Sequence, residues 1–141
     1  MDSNRSTDND DASRPVIFEK ELSYTIVAAF FEVYNALGFG FLESIYARAL
    51  EIALRFRGLR VEREYPVDVY FRGTLVGRHR LDMVVERRIV IEIKSTERLS
   101  QVPARQLRSY LAATDFKLGL ILHFGPRPEV HRVLGRKGSE C

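Results

Sequence analysis

The sequence predicts one α/β domain in which a mixed central β-sheet is flanked by helices, and three observations carry that expectation. Residues 18–37 and 42–57 repeat apolar side chains at helical spacing. Between Arg60 and Lys94 the pattern changes to short runs rich in Val, Ile, Tyr and Phe, punctuated by polar turns. A third helical stretch then leads into Leu118–Phe124, a nearly continuous apolar run of the kind found in a strand covered on both faces.

The first helix is marked by Leu22, Ile26, Ala29, Phe30, Val33 and Leu37, with Gly38 as its stop. The second, Leu42 to Arg57, turns Ile45, Ala49, Ile52, Leu54 and Phe56 largely inward and ends at Gly58. Strand-like segments follow at Arg60–Tyr65, Val67–Phe71 and Leu75–Arg78, the last two separated by the turn Arg72-Gly73-Thr74. Two more strands, Arg80–Val85 and Ile89–Lys94, are joined by Glu86-Arg87-Arg88. The third helix covers about Val102–Ala113. Pro126 and Pro128 close the Leu118–Phe124 strand, and Val130–Leu134 reads as a short edge strand. The expected order is ααβββββαββ, with no internal repeat.

At 141 residues the chain has room for one real core. Residues 1–14 are polar and aperiodic and read as a disordered N-terminal tail, residues 15–134 as the folded domain, and 135–141 as a loose C-terminal tail. There is no apolar run long enough to span a membrane and no signal-peptide pattern. A lone Cys141 excludes an internal disulfide framework and a cysteine-held zinc, and suits a reducing cytoplasm. The first 14 residues carry a net charge of −2 in a chain of net +3, which leaves +5 on the rest. A basic body is compatible with a phosphate-rich partner.

The chemistry concentrates in the two central strands. Asp82 interrupts Leu81-Asp82-Met83-Val84-Val85, and Glu92 and Lys94 interrupt Ile89–Lys94. Strand alternation places Glu92 and Lys94 on one side, Ile91 and Ile93 on the other, and pairing through the turn brings Asp82 to the charged side. Ionisable groups gathered on a sheet surface are costly unless something offsets their charge. A divalent cation between the carboxylates would do so, leaving the lysine for an anionic reaction centre.

Upstream, Gly40-Phe41-Leu42-Glu43-Ser44-Ile45-Tyr46 sets Glu43 and Tyr46 on one face of the second helix. With Arg80-Leu81-Asp82, Glu92-Ile93-Lys94 and Gln106-Leu107-Arg108-Ser109-Tyr110-Leu111, this segment resembles the GxxExxY protein family of the PD-(D/E)XK nuclease superfamily. The resemblance runs from about Ile17 to Leu134; Leu81 stands where the superfamily name has proline. It implies a restriction-endonuclease-like fold and a nuclease acting on nucleic acid, DNA ahead of RNA. It further implies Mg²⁺, with Mn²⁺ as a substitute, held by Asp82, Glu92 and the backbone carbonyl of Ile93. Lys94 would act on the attacking water, with Glu43 reaching in from the helix to hold a metal-bound water. Gln106 and Tyr110 would position Lys94 or the phosphate, Tyr46 would brace Glu43, and Arg80 would contact phosphate.

Each of these residues has a plainer reading. Acidic residues on a strand are ordinarily a solvated face, tyrosines are ordinarily core, and Gln106 could be helix surface. His79 reads as structural or solvent-facing, His123 as a hydrogen-bonded core residue, and Arg55, Arg57, Arg60 and Arg63 as a solvated basic face rather than a groove. Two further functional readings compete with the nuclease: a nucleic-acid-binding or assembly subunit that keeps the fold without turnover, and a metal-dependent hydrolase of small phosphate esters. A homodimer is compatible with all three.

Overall fold

The computed structural model describes residues 19–135. The expected disordered tail, residues 15–18 and the end beyond Gly135, Cys141 included, lie outside the described residues. Gly135 itself is buried and held, its N–H donating to the Lys117 carbonyl at 2.8 Å.

The chain runs α1 (Glu19–Leu37), α2 (Glu43–Phe56), β1 (Val61–Phe71), β2 (Thr74–Val85), β3 (Ile89–Lys94), α3 (Val102–Ala112), β4 (Leu118–Phe124) and β5 (Pro128–Leu134). The strands form one sheet in the order β1-β2-β3-β4-β5. β3 and β4 are parallel; every other neighbouring pair is antiparallel. The parallel step needs a crossover, and α3 supplies it.

Two of the expected strand breaks do not exist. Arg60–Tyr65 and Val67–Phe71 are one strand, β1, and Leu75–Arg78 continues into the Asp82 strand as β2. The first expected break falls at Pro66, but β1 is an edge strand, where a missing N–H donor is tolerated. The observed order is therefore ααβββαββ.

Apolar residues cover both faces of the sheet. On one face α1 and α2 pack Leu22, Ile26, Phe30, Tyr46, Leu50 and Leu54 against Met83, Val85, Ile89, Ile91, Leu120 and Phe124. On the other, α3 packs Leu107 and Leu111 against Val67, Leu81, Val84, Val90 and Ile121. The second layer is thin and lies close: a Cβ on Gly119 would stand 2.7 Å from the Leu107 side chain.

The face each β2 residue takes changes once along the strand. Met83 and Val85 pack toward α1 and α2, so regular alternation would send Leu81 there too, yet Leu81 packs on the α3 side with Val84. β1 changes face at the same level, since Val61 belongs to the first cluster and Val67 to the second. Between them Glu64, which the register skips between the pairs Arg63–Met83 and Tyr65–Leu81, has a φ of 54°. A residue in the left-handed region turns a strand's side chains over, as in a bulge. The consequence is that Leu81 and His79 join Asp82 and Val84 on the α3 side.

β3 pairs with β2 only from Met83 to Val85. The rest of the β1–β2 pair, out to Phe71 and Thr74, extends past β3 as a two-stranded arm. Its tip is the two-residue turn Arg72-Gly73, with φ values of 51° and 78°, as expected for a tight hairpin of the primed type.

Candidate active site

The β2–β3 ladder stops at Met83 and Ile91, and the two acidic side chains take over where it ends. The Asp82 N–H donates to Glu92 Oε2 at 3.0 Å, and the Ile93 N–H donates to Asp82 Oδ2 at 2.7 Å. Each carboxylate thus replaces a ladder acceptor on the opposite strand. That arrangement fixes both side chains and satisfies backbone donors that would otherwise be stranded where the strands part.

The Glu92 carboxyl is pushed up to about 7, first by burial and then by the negative charge of Asp82; the Asp82 hydrogen bond and Lys94 pull the other way. Asp82 is raised as well, by burial, against the lowering effect of the Ile93 hydrogen bond and the charge of Lys94. Two neighbouring carboxyls that both resist ionisation share negative charge badly, which is how a site awaiting a counter-charge behaves.

Glu43 reaches the same place from the other layer. It opens α2, where a negative side chain is favoured by the helix dipole. Its Oε2 accepts the Ser95 N–H at 3.2 Å, one residue past Lys94, and its charge is felt at Glu92. Lys94 in turn acts electrostatically on Asp82, Glu92 and His79. The four ionisable groups singled out in the sequence therefore meet at one end of β3.

On the α3 side, Glu92, Lys94, Gln106, Tyr110 and His79 line one small cavity together with Pro103 and Leu107. Gln106 and Tyr110 project into it from successive turns of α3. The other candidates fall outside this cavity. Tyr46 is fully buried and stacks on Phe124 with centroids 4.1 Å apart. Its hydroxyl donates to the Gly38 carbonyl and accepts the Phe41 N–H, so the expected brace on Glu43 is corrected: Tyr46 clamps the loop that leads into Glu43, not the carboxylate. Arg80 is exposed, 3.5 Å from Glu64, and lies between His79 and Leu81 on the strand, so it faces away from α3. The Ile93 side chain is buried in the opposite face.

His79, read from the sequence as structural or solvent-facing, lines the cavity as well. Its ring lies parallel to that of Tyr110, with centroids 3.9 Å apart and 5° between planes. Burial lowers its pKa, with Asp82 opposing and Lys94 reinforcing. Strict alternation puts His79 on the face away from Asp82, and the turnover of the strand at Asp82 brings it back. His123, as expected, is buried, with Nε2 2.7 Å from the Thr96 carbonyl, and secures the segment after Lys94. The basic cluster also resolves: Arg55 and Arg63 pair with Glu51, and Arg57 with Glu32.

The donor set fits a hard, oxygen-seeking cation. Among the described residues no three His, Cys, Asp or Glu side chains form a protein-only cage. Two adjacent carboxylates suit Mg²⁺, which keeps several waters and shares its coordination with substrate phosphate.

A carboxylate pair at the parting of two central strands, with a lysine two residues past the second, is the arrangement from which the PD-(D/E)XK nucleases take their name. The family model described as the PD-(D/E)XK nuclease superfamily matches residues 20–133, and the chain belongs to that superfamily. A solved structure described as that of SSO0001 is similar, with a TM-score of 0.53 and 23% sequence identity over 65% of this chain and 49% of that one. The chain thus spans about half the length of that structure, and the likeness shows the fold, an α/β restriction-endonuclease-like fold. No curated protein matches the chain. No helix among the described residues is long and apolar enough to cross a membrane.

Proposed function

We propose that this chain is a Mg²⁺-dependent nuclease of the GxxExxY type that hydrolyses phosphodiester bonds in DNA. The observation that carries the reading is the reciprocal capture of Asp82 and Glu92 where β2 and β3 part, with Glu43 and Lys94 at the same end of β3. Asp82 and Glu92, with the Ile93 carbonyl, would hold the cation. When bound, it would neutralise phosphate charge and acidify water.

The chain's own groups supply the rest. Lys94 orients the attacking water and holds negative charge as it grows on the phosphate oxygens. Glu43 keeps a water in line while its bond to Ser95 fixes the end of β3. Gln106 holds the substrate phosphate or the lysine from above, and the Tyr110–His79 stack forms the wall against which the nucleotide is placed. Arg80 draws a neighbouring phosphate.

The test is hydrolysis of a labelled DNA panel with Mg²⁺ or Mn²⁺. Cleavage by the wild type that is lost in Asp82→Ala and Lys94→Ala supports the reading; cleavage equal in both variants ends it. Among the described residues no three His, Cys, Asp or Glu side chains form a metal cage, which favours a second reading, a nucleic-acid-binding subunit that does not turn over. Titration calorimetry separates them, since DNA affinity with no Mg²⁺ affinity belongs to the subunit.

A further inference from the structure

The β1–β2 arm carries large apolar side chains that no core contact explains. Tyr70, Phe71 and Val76 are about 60% exposed, and Leu75 46%. They sit at the end of a hairpin whose inner strand runs directly into Asp82. From Thr74 to Asp82 the strand covers roughly 26 Å at ~3.3 Å per residue.

The charge on the arm is uneven in a useful direction. Residues 64–80 hold Arg72, Arg78 and Arg80 against Glu64 and Asp68, a net of +1, and Arg72 stands at the very tip. The Arg72 guanidinium stands 5.3 Å over the Phe71 ring. Arg78 pairs with Asp68 at 2.7 Å and Arg80 with Glu64 at 3.5 Å, exposed pairs that a phosphate can replace at little cost.

Aromatic rings interleaved with arginines are the means by which a protein holds a nucleic-acid strand whose bases are unpaired. The other candidate occupant is a second copy of the chain. Four side chains at a hairpin tip make a far smaller face than the ~800 Å² per partner of a stable interface. Two such tips would also bring positive charge against positive charge.

We infer that the β1–β2 arm grips an unpaired stretch of the substrate strand some seven or eight nucleotides from the scissile phosphate, at the ~3.4 Å per nucleotide of a stacked strand. The substrate class is therefore DNA with a single-stranded or branched segment rather than plain duplex. This inference rests on the nuclease reading for its geometry, but its test does not.

Fluorescence anisotropy on the full chain carrying Asp82→Asn, which blocks cleavage, compares a single strand, a blunt duplex and a duplex with a single-stranded tail. The expected result is about tenfold tighter binding of the tailed and single-stranded forms. The double variant Tyr70→Ala/Phe71→Ala should remove that preference and leave blunt-duplex affinity within about twofold. Arg72→Asn, which tolerates the left-handed turn conformation, should lose about threefold. A parent without preference, or an arm variant that keeps it, overturns the inference. So does a parent dimer that the variant converts to monomer with DNA binding unchanged. In a parallel arm of the experiment, chains retaining Asp82 hydrolyse bis(p-nitrophenyl) phosphate, a diester too small to reach the hairpin. Equal rates with and without the arm substitutions are expected, and no hydrolysis at all would reject the nuclease reading while leaving the anisotropy result to judge the arm.

Discussion

The two faces of the sheet solve different problems with the same five strands. The α1/α2 face is a broad apolar layer sealed by aromatic rings, with Phe124 stacked on Tyr46 and edge-on to Phe30. The α3 face has a smaller apolar cluster, and beside it sit Glu92, Lys94, His79, Gln106 and Tyr110. A thick layer leaves no room for ions, whereas a single short helix leaves the sheet uncovered at one end. Stability should therefore be sensitive to one face and activity to the other.

The sharpest separation is expected at the acidic pair. Asp82→Asn should lower the Mg²⁺-dependent cleavage rate by about 10³-fold or more without lowering the melting temperature, because it removes a half-buried charge and keeps an oxygen to accept the Ile93 N–H. Lys94→Ala should lower the rate as far but also cost stability, since it removes the cation that offsets both carboxyls. A fall in melting temperature for Asp82→Asn would show that the carboxylates hold the strands together.

Next in size is the apolar side of the comparison. Phe30→Ala empties a fully buried ring site and should cost about 3–5 kcal/mol in urea unfolding. Gly119→Ala drives a methyl into Leu107 on the thin face and should cost about 1–3 kcal/mol unless the leucine swings aside. If Gly119→Ala proved the worse of the two, the α3 layer would be the main structural one.

A third test uses pH. In the unfolded chain a glutamate titrates near 4.3, whereas folded Glu92 titrates at about 7. Between those values the folded state binds more protons than the unfolded state, so this contribution to stability is complete below the lower value and is lost as pH climbs through 7. Asp82 acts in the same direction; His79, lowered from its ordinary value, opposes them as pH falls through that value. Metal-free protein should thus gain on the order of 2 kcal/mol between pH 7.5 and 5, and Glu92→Gln should flatten the gain. Mg²⁺ needs the ionised carboxylates, so its affinity should rise with pH through 7 and its binding should release protons in weakly buffered calorimetry.

The smallest effect belongs to the ring stack. His79→Ala should cost about 1 kcal/mol of stability and slow cleavage about tenfold; His79→Phe should restore stability. If it restores the rate as well, the histidine serves as a wall, and if not, its nitrogens touch the substrate.

The placement of Glu92 and Lys94 opposite Ile91 and Ile93 was legible because strand alternation holds without a break along β3. The mixed sheet was legible because Leu118–Phe124 has the composition of a doubly covered strand. The continuity of β1 and β2 was not, since Pro66 is an ordinary strand breaker and only its place at the sheet's edge excuses it. His79 was hidden for a related reason. Its face depends on Glu64, a residue on another strand whose left-handed backbone no local pattern announces. Tyr46 was placed on the correct helix, but its partner is the loop at Gly38, a contact set by how the chain folds back and not by spacing.

The turnover at Asp82 also fixes which lengths the chain can tolerate. Removing or adding one residue between Gly77 and Leu81 would exchange the outward and inward sides of everything beyond it, sending Leu81 into water and the arginines toward α3. At the hairpin tip, trimming or lengthening both strands together by matched pairs leaves the inner register intact. The reach of the arm is thus free to drift over generations, while the short run that joins it to the carboxylates is not.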